Sequence, residues 1–260
     1  MLSSDSSIKE HDRMSLHEAT TNDDLPGRSS RAADGDGSKP GRKSARRSFL
    51  IRGAAAGAAA VGGVNPFTGR DSRVMASNPN YLPSLYPNEN VREFQAIQAH
   101  ENSHVTYLLN ALGADARPKP SFVDLTQSSL LQFAQTANAL ENTGVGAYLG
   151  AAPYISSTAV LAAAGSILPI EARHAGYINV LLNNLMTVNV YGNAQNFETP
   201  LTPAQVVALA GPFVTSLNGG PPLTYSTTPS PANDIAILNF ALALEYLEQA
   251  FYNLNVPLFT

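Results

Sequence analysis

A repeated spacing constrains this chain more than any other feature: Glu101-Asn102-Ser103-His104 is matched by Glu171-Ala172-Arg173-His174. On an α-helix, residues three apart share a face about one turn apart, so each tetrad can aim a carboxylate and an imidazole at a common point. A single pair of this kind is ordinary on a helix surface. Two pairs, joined by single glutamates from two further helices, form the ligand set of a carboxylate-bridged di-metal site inside a four-helix bundle. A chain built this way must supply four apolar helices and two more glutamates.

The first helix is expected over 88–112, with Val91, Phe94, Ile97, Glu101, His104, Val105, Leu108 and Leu112 on one face and Gly113 as its stop. His100 points about 100° away from Glu101 and is read as a boundary residue, or as one that supports a ligand from behind, rather than as a ligand. Residues 113–126, with Pro118 and Pro120, read as an extended connection long enough to cross a bundle. A second helix over about 127–150 carries Glu141, the sole charged residue between Asp124 and Glu171. A solvated helix face normally carries several charges, so a lone mid-helix carboxylate on an apolar segment calls for a partner.

A third helix is expected from Ser156 to about Val188, bent at Pro169, and a weak helical pattern from Thr202 to Leu217. Asn233-Asp234 is expected to cap a last amphipathic helix through Ile237, Leu238, Ala241, Leu244, Glu245, Glu248 and Tyr252. Glu245 or Glu248 completes the inventory. Glu245 is preferred because Tyr252 follows it by seven residues, as Tyr148 follows Glu141.

The candidate ligands are therefore Glu101, His104, Glu141, Glu171, His174 and Glu245, with Glu101 and Glu171 as bridges. Two divalent cations a few ångströms apart repel each other, and bridging carboxylates supply both the negative charge and hard oxygen donors. Tyr148 and Tyr252 are candidates for hydrogen bonding to those carboxylates or for one-electron donation. Iron and manganese both suit such ligands. The chain has no cysteine, which excludes thiolate zinc sites, iron–sulfur clusters and cysteine nucleophiles.

Charge separates the chain into segments. Residues 1–76 hold 12 Lys/Arg and 9 Asp/Glu, whereas 77–260 hold 4 Lys/Arg and 11 Asp/Glu. The acidic C-terminal part offers no nucleic-acid surface and suits a cation. Residues 1–45 are polar, without apolar periodicity, and read as a disordered tail. Ala45-Arg46-Arg47-Ser48-Phe49-Leu50-Ile51-Arg52 and the Ala/Gly-rich run to Val64 resemble a twin-arginine export signal, with Val74-Met75-Ala76 suited to cleavage before Ser77. The 46–76 segment thus implies export machinery as a partner and a periplasmic or extracellular location, with 77–260 as the folded domain.

Taken together, Asn233 to Tyr252, Glu101-Asn-Ser-His104, Ala139 to Tyr148 and Val160 to His174 resemble the ferritin-like family of desiccation-related and secreted stress-response proteins. The resemblance implies an all-α ferritin-like four-helix bundle with a long crossover and two iron ions, or manganese, at the positions named. It implies oxygen or peroxide as a reaction partner, in Fe(II) oxidation or peroxide reduction; a non-enzymatic stress protein with a vestigial site is the alternative. In that family the Leu-Glu-Tyr-Leu-Glu helix comes first. Here it comes last, at Leu244 to Glu248, so the order looks circularly permuted; a homodimer exchanging that helix is the other way to complete the bundle.

Overall fold

The computed structural model describes residues 78–85 and 87–259. The polar tail and the arginine-led segment lie outside the described residues. No described helix is long and apolar enough to cross a membrane.

Five helices dominate the described residues: α1 (Glu89–Leu112), α2 (Leu130–Ala151), α3 (Thr158–Leu181), α4 (Pro203–Ala210) and α5 (Pro231–Phe259). Short polar side chains start most of them. Ser129 accepts from Gln132 N before α2, and Ser157 accepts from Val160 N before α3. Thr202 and Gln205 form a reciprocal capping box at α4, where Pro203 takes the first helical position. Gly113, at φ 55°, ends α1 in the backbone region that glycine adopts most readily.

Three boundaries differ from the sequence expectation. α3 stops at Leu181 rather than near Val188, because Asn183 turns the chain at φ 62°. The weak pattern after Thr202 is helical only to Ala210; beyond it, Val214–Ser216 forms a strand (β2) paired antiparallel with Ser121–Phe122 (β1). The cap of α5 is not Asn233-Asp234. Ser230 Oγ accepts from Asn233 N at 3.1 Å and Pro231 opens the helix, while the two predicted caps reach outward. Asp234 accepts from Ser156 N at 2.7 Å and Ser157 N at 2.9 Å, which ties the α2–α3 turn to the start of α5.

The hydrogen bonds also fix the directions of the helices. Leu131 N donates to Pro79 O at 2.8 Å, so α2 starts beside the residues that lead into α1, and the two helices run parallel. The link between them must then cross the bundle. It does so along α5, from Arg117, whose N–H meets Asn239 Oδ1, to Gln127, whose N–H meets Asn255 Oδ1. Sixteen helical residues separate those two asparagines, about 24 Å of bundle. α2 and α3 pair antiparallel, with Asn138 bound to Asn179 at 3.0 Å. α5 packs along α1 and α2 of its own chain and supplies the fourth wall.

The core fills the space between these four helices. Phe94, Phe133, Phe251 and Tyr252 interlock at one end, with Phe133 edge-on to Tyr252 at 6.0 Å between centroids. Val105, Leu108, Ile167, Leu238 and Leu242 fill the other end. Burial of these side chains supplies the driving force, about 1.5–3 kcal/mol for each large one. Seven acidic and histidine side chains are buried between the two clusters.

Candidate metal centre

α1 brings Glu101 and His104 to the bundle interior, α2 brings Glu141, α3 brings Glu171 and His174, and α5 brings Glu245. Helical spacing places each Glu-x-x-His pair on one face. Glu101, Glu141 and Glu171 have no exposed surface at all, and Glu245 has 1%. Ordinary surface glutamates are excluded by that burial.

The ligand atoms fall into two overlapping groups. Glu101, Glu141, Glu171 and His174 form one, and Glu101, His104, Glu171 and Glu245 the other; in each group the atoms lie within 4.8 Å of one another. Glu101 and Glu171 belong to both. Glu101 spans the two groups directly: its Oε1 is 3.1 Å from His174 Nδ1 and its Oε2 is 3.3 Å from His104 Nδ1. His104 Nδ1 also lies 2.9 Å from Glu171 Oε1 and 3.3 Å from Glu245 Oε2. His174 Nδ1 completes the set at 3.1 Å from Glu141 Oε2.

The two tyrosines cross between helices. Tyr148, on α2, donates to Glu245 Oε1 on α5 at 2.5 Å, and Tyr252, on α5, donates to Glu141 Oε1 on α2 at 2.5 Å. The paired positions have the same residue-number sum, as facing positions on antiparallel helices must. The seven-residue spacing seen in the sequence thus closes two reciprocal bonds, each tyrosine serving the other helix's glutamate.

Glu248 is the residue on which sequence reasoning was least complete. Weighed as an alternative to Glu245, it is instead present in addition to it: 3% exposed, in the pocket, and outside both ligand groups. Its position three residues beyond Glu245 was the available signal, since that spacing returns to the same helix face. Gly144 on α2 makes room for it. A Cβ at that position would lie 3.3 Å from Glu171 Oε2 and 3.4 Å from Glu248 Oε1.

Five buried carboxylates this close have consequences for protonation. Burial, then the Glu171 charge, raises the Glu101 pKa to about 7 against the pull of His104 and His174. Glu171 and Glu248 are pushed well above the usual carboxylate range, by burial first and neighbouring glutamates second. For His174, burial lowers the pKa, but Glu141 and Glu101 outweigh it and raise the value to about 11. His104 is raised likewise by Glu101, Glu171 and Glu245. Tyr148 and Tyr252 stay protonated far above their ordinary range, through burial and the carboxylates they serve.

The donor set fits a cation. Both oxygens of Glu101 and of Glu171, Glu245 Oε2, Glu248 Oε2 and His104 Nδ1 are buried without an aligned hydrogen bond, although several lie at ion-pair distance from one another. Buried polar atoms are nearly always satisfied, so convergent orphans point to a missing partner. Oxygen and imidazole nitrogen donors without sulfur suit iron or manganese as well as other divalent ions.

A four-helix core with a crossover, in which α1 and α2 run one way and α3 and α5 the other, two Glu-x-x-His helices and two further glutamate-bearing helices define the class of carboxylate–histidine bundles. Residues 57–184 match the ferritin-like domain family. The matched span contains α1, α2 and α3 and ends before α5. No curated protein and no solved structure matches the chain.

Proposed function

We propose that this chain holds two metal ions, iron or alternatively manganese, with Glu101 and Glu171 as bridges, Glu141 and His174 on one ion, and His104 and Glu245 on the other. The observation that carries the proposal is that Glu101 and Glu171 belong to both groups of convergent ligand atoms. Bound as a pair in the divalent state, such ions would supply two electrons, one each, which with two protons reduce one hydrogen peroxide to two waters; in Fe(II) oxidation the same two electrons would pass to oxygen or peroxide.

The chain's own residues prepare that chemistry. Tyr148 and Tyr252 hold protons on Glu245 Oε1 and Glu141 Oε1, which fixes one oxygen of each carboxylate and turns the other toward the centre. The apolar clusters above and below exclude water from the four helices' midsection. The permuted order follows from the same assignment: α5 would be the family's first helix moved to the end, contributing Glu245. The twin-arginine segment would direct the chain out of the cytoplasm, where peroxide protection in a stress response is the proposed role.

A second reading has its own support. Both histidines have raised pKa values, so two imidazoliums can neutralise carboxylates without any metal. The pocket would then be a relic in a non-enzymatic stress or desiccation protein. Elemental mass spectrometry of the full chain purified after native export separates the two readings. About two iron or manganese per chain, lost in Glu171→Ala and accompanied by peroxide-dependent turnover, is the outcome the first reading expects. Metal-free protein with a cooperative melt establishes the second.

A further inference from the structure

We propose that His100 is the positioning residue of this centre: its Nδ1 accepts the Nε2–H of His174 and so fixes which nitrogen His174 offers to a metal ion. The inference rests on the di-metal reading above and adds a residue that no ligand group contains.

The geometry is specific. His174 Nδ1 faces the pocket, 3.1 Å from both Glu101 Oε1 and Glu141 Oε2. Its Nε2 faces the other way and meets His100 Nδ1 at 2.9 Å. The two rings lie within 6° of a common orientation, with centroids 5.2 Å apart. That separation is what the N···N contact plus one ring radius on each side gives when the rings share a plane. The contact is therefore an edge-to-edge hydrogen bond along the nitrogen lone pair, not a face-to-face stack.

A neutral imidazole carries one N–H, and the nitrogen that binds a metal must be the other one. With Nε2–H donated to His100, the proton that His174 gives up to take a metal ion is the one on Nδ1, which faces Glu101 and Glu141. His100 can do this because it sits one residue before Glu101, rotated about 100° round α1 toward the solvent edge. Among the described residues, His104 Nε2 has no corresponding partner. The two halves of the centre are thus alike in ligands and unlike in support, with the His174 half held in advance.

The test is titration of Co(II) into metal-free full-length protein, read by its ligand-field absorption. His100→Asn keeps an acceptor oxygen near the position of Nδ1, and His100→Phe fills the space without one. Wild type and His100→Asn are expected to bind two equivalents alike, while His100→Phe weakens one of the two by roughly 10- to 100-fold, the usual effect of losing such a support. Because His100 acts through His174, adding His100→Phe to His174→Ala is expected to change nothing further. His100 lies at the surface, so thermal melts of the metal-free variants should coincide. Wild-type binding by His100→Phe, equal loss in His100→Asn, or a further loss on the His174→Ala background would overturn the proposal while leaving the di-metal reading intact. A wild-type protein that takes up no Co(II) would overturn both.

Discussion

Helix α2 meets two neighbours on opposite terms. Toward the bundle interior, Glu141 and Gly144 face carboxylates whose atoms lack aligned hydrogen bonds. Toward the surface, Gly146 and Gly150 lie under the segment that leads into α4: Leu201 N donates to Gly146 O at 2.9 Å, and a Cβ on Gly150 would fall 2.0 Å from Leu201 O. The strap side is closely packed and satisfied. The pocket side is close too, a Cβ on Gly144 falling 3.3 Å from Glu171 Oε2, but its carboxylates are not satisfied. One helix thus separates a surface selected for stability from one whose arrangement makes sense through a ligand.

Metal addition should give the largest effect. At a free metal concentration a thousandfold above Kd, binding to the native state stabilises it by about 4 kcal/mol, seen as a higher melting temperature. The pH dependence has opposite signs in the two forms. Because the Glu101 pKa is raised to about 7, its contribution to metal-free stability is complete below the ordinary carboxylate value and is lost as pH rises through about 7. A metal ion must displace that proton, so affinity weakens as pH falls below about 7. An unchanged melt with metal at pH 8 would remove the pocket side of the comparison.

On the strap side, Gly150→Ala should destabilise by about 1–3 kcal/mol, the usual range for overpacking against backbone. The denaturation midpoint reports it, and metal stoichiometry should be unaltered. Gly150→Ala that matches wild type in denaturant would mean the strap is loosely held.

Next comes Asp234→Ala, which removes the acceptor of three bonds from Ser156 and Ser157 and should lose about 1.5 kcal/mol. Those bonds outweigh burial and hold the Asp234 pKa below its ordinary value. Its contribution is therefore present above pH 4 or so and lost as pH falls, so wild type and variant should converge in acid.

The smallest effect should be a gain. Gly165, in α3, has open space where a Cβ would stand, and Gly165→Ala should stabilise by about 0.5–1 kcal/mol through helix propensity. Set beside Gly150, it tests whether close approach, rather than glycine itself, explains the strap.

Much of this was legible in the sequence because helical periodicity is local. The spacing of Glu101 and His104, of Glu171 and His174, and the isolation of Glu141 on an uncharged segment all placed side chains on the right faces without knowledge of the fold. The crossover was legible too, since its prolines and length allowed little else. The 182–202 strap was not, because it is held by Leu201 against a helix backbone and by Asn179 against Val188 O, contacts with no periodic signature. The β1–β2 pair joins residues nearly a hundred positions apart over two or three residues each, too short for alternation to register. Asn233 and Asp234 have the composition of caps, but their partners belong to another helix junction.

The sequence by itself determined the helices, their inward faces and the chemical types of the candidate ligands, because those follow from 3.6-residue periodicity and from which side chains carry oxygen or nitrogen donors. Only the tertiary structure decided how those side chains combine: that Glu101 reaches both histidines, that each tyrosine serves the opposite helix, that Glu248 joins Glu245 rather than replacing it, and that His100 meets His174 in plane. These depend on the direction and register of one helix against another. Register is fixed by packing across the whole core, and no local stretch of sequence contains it.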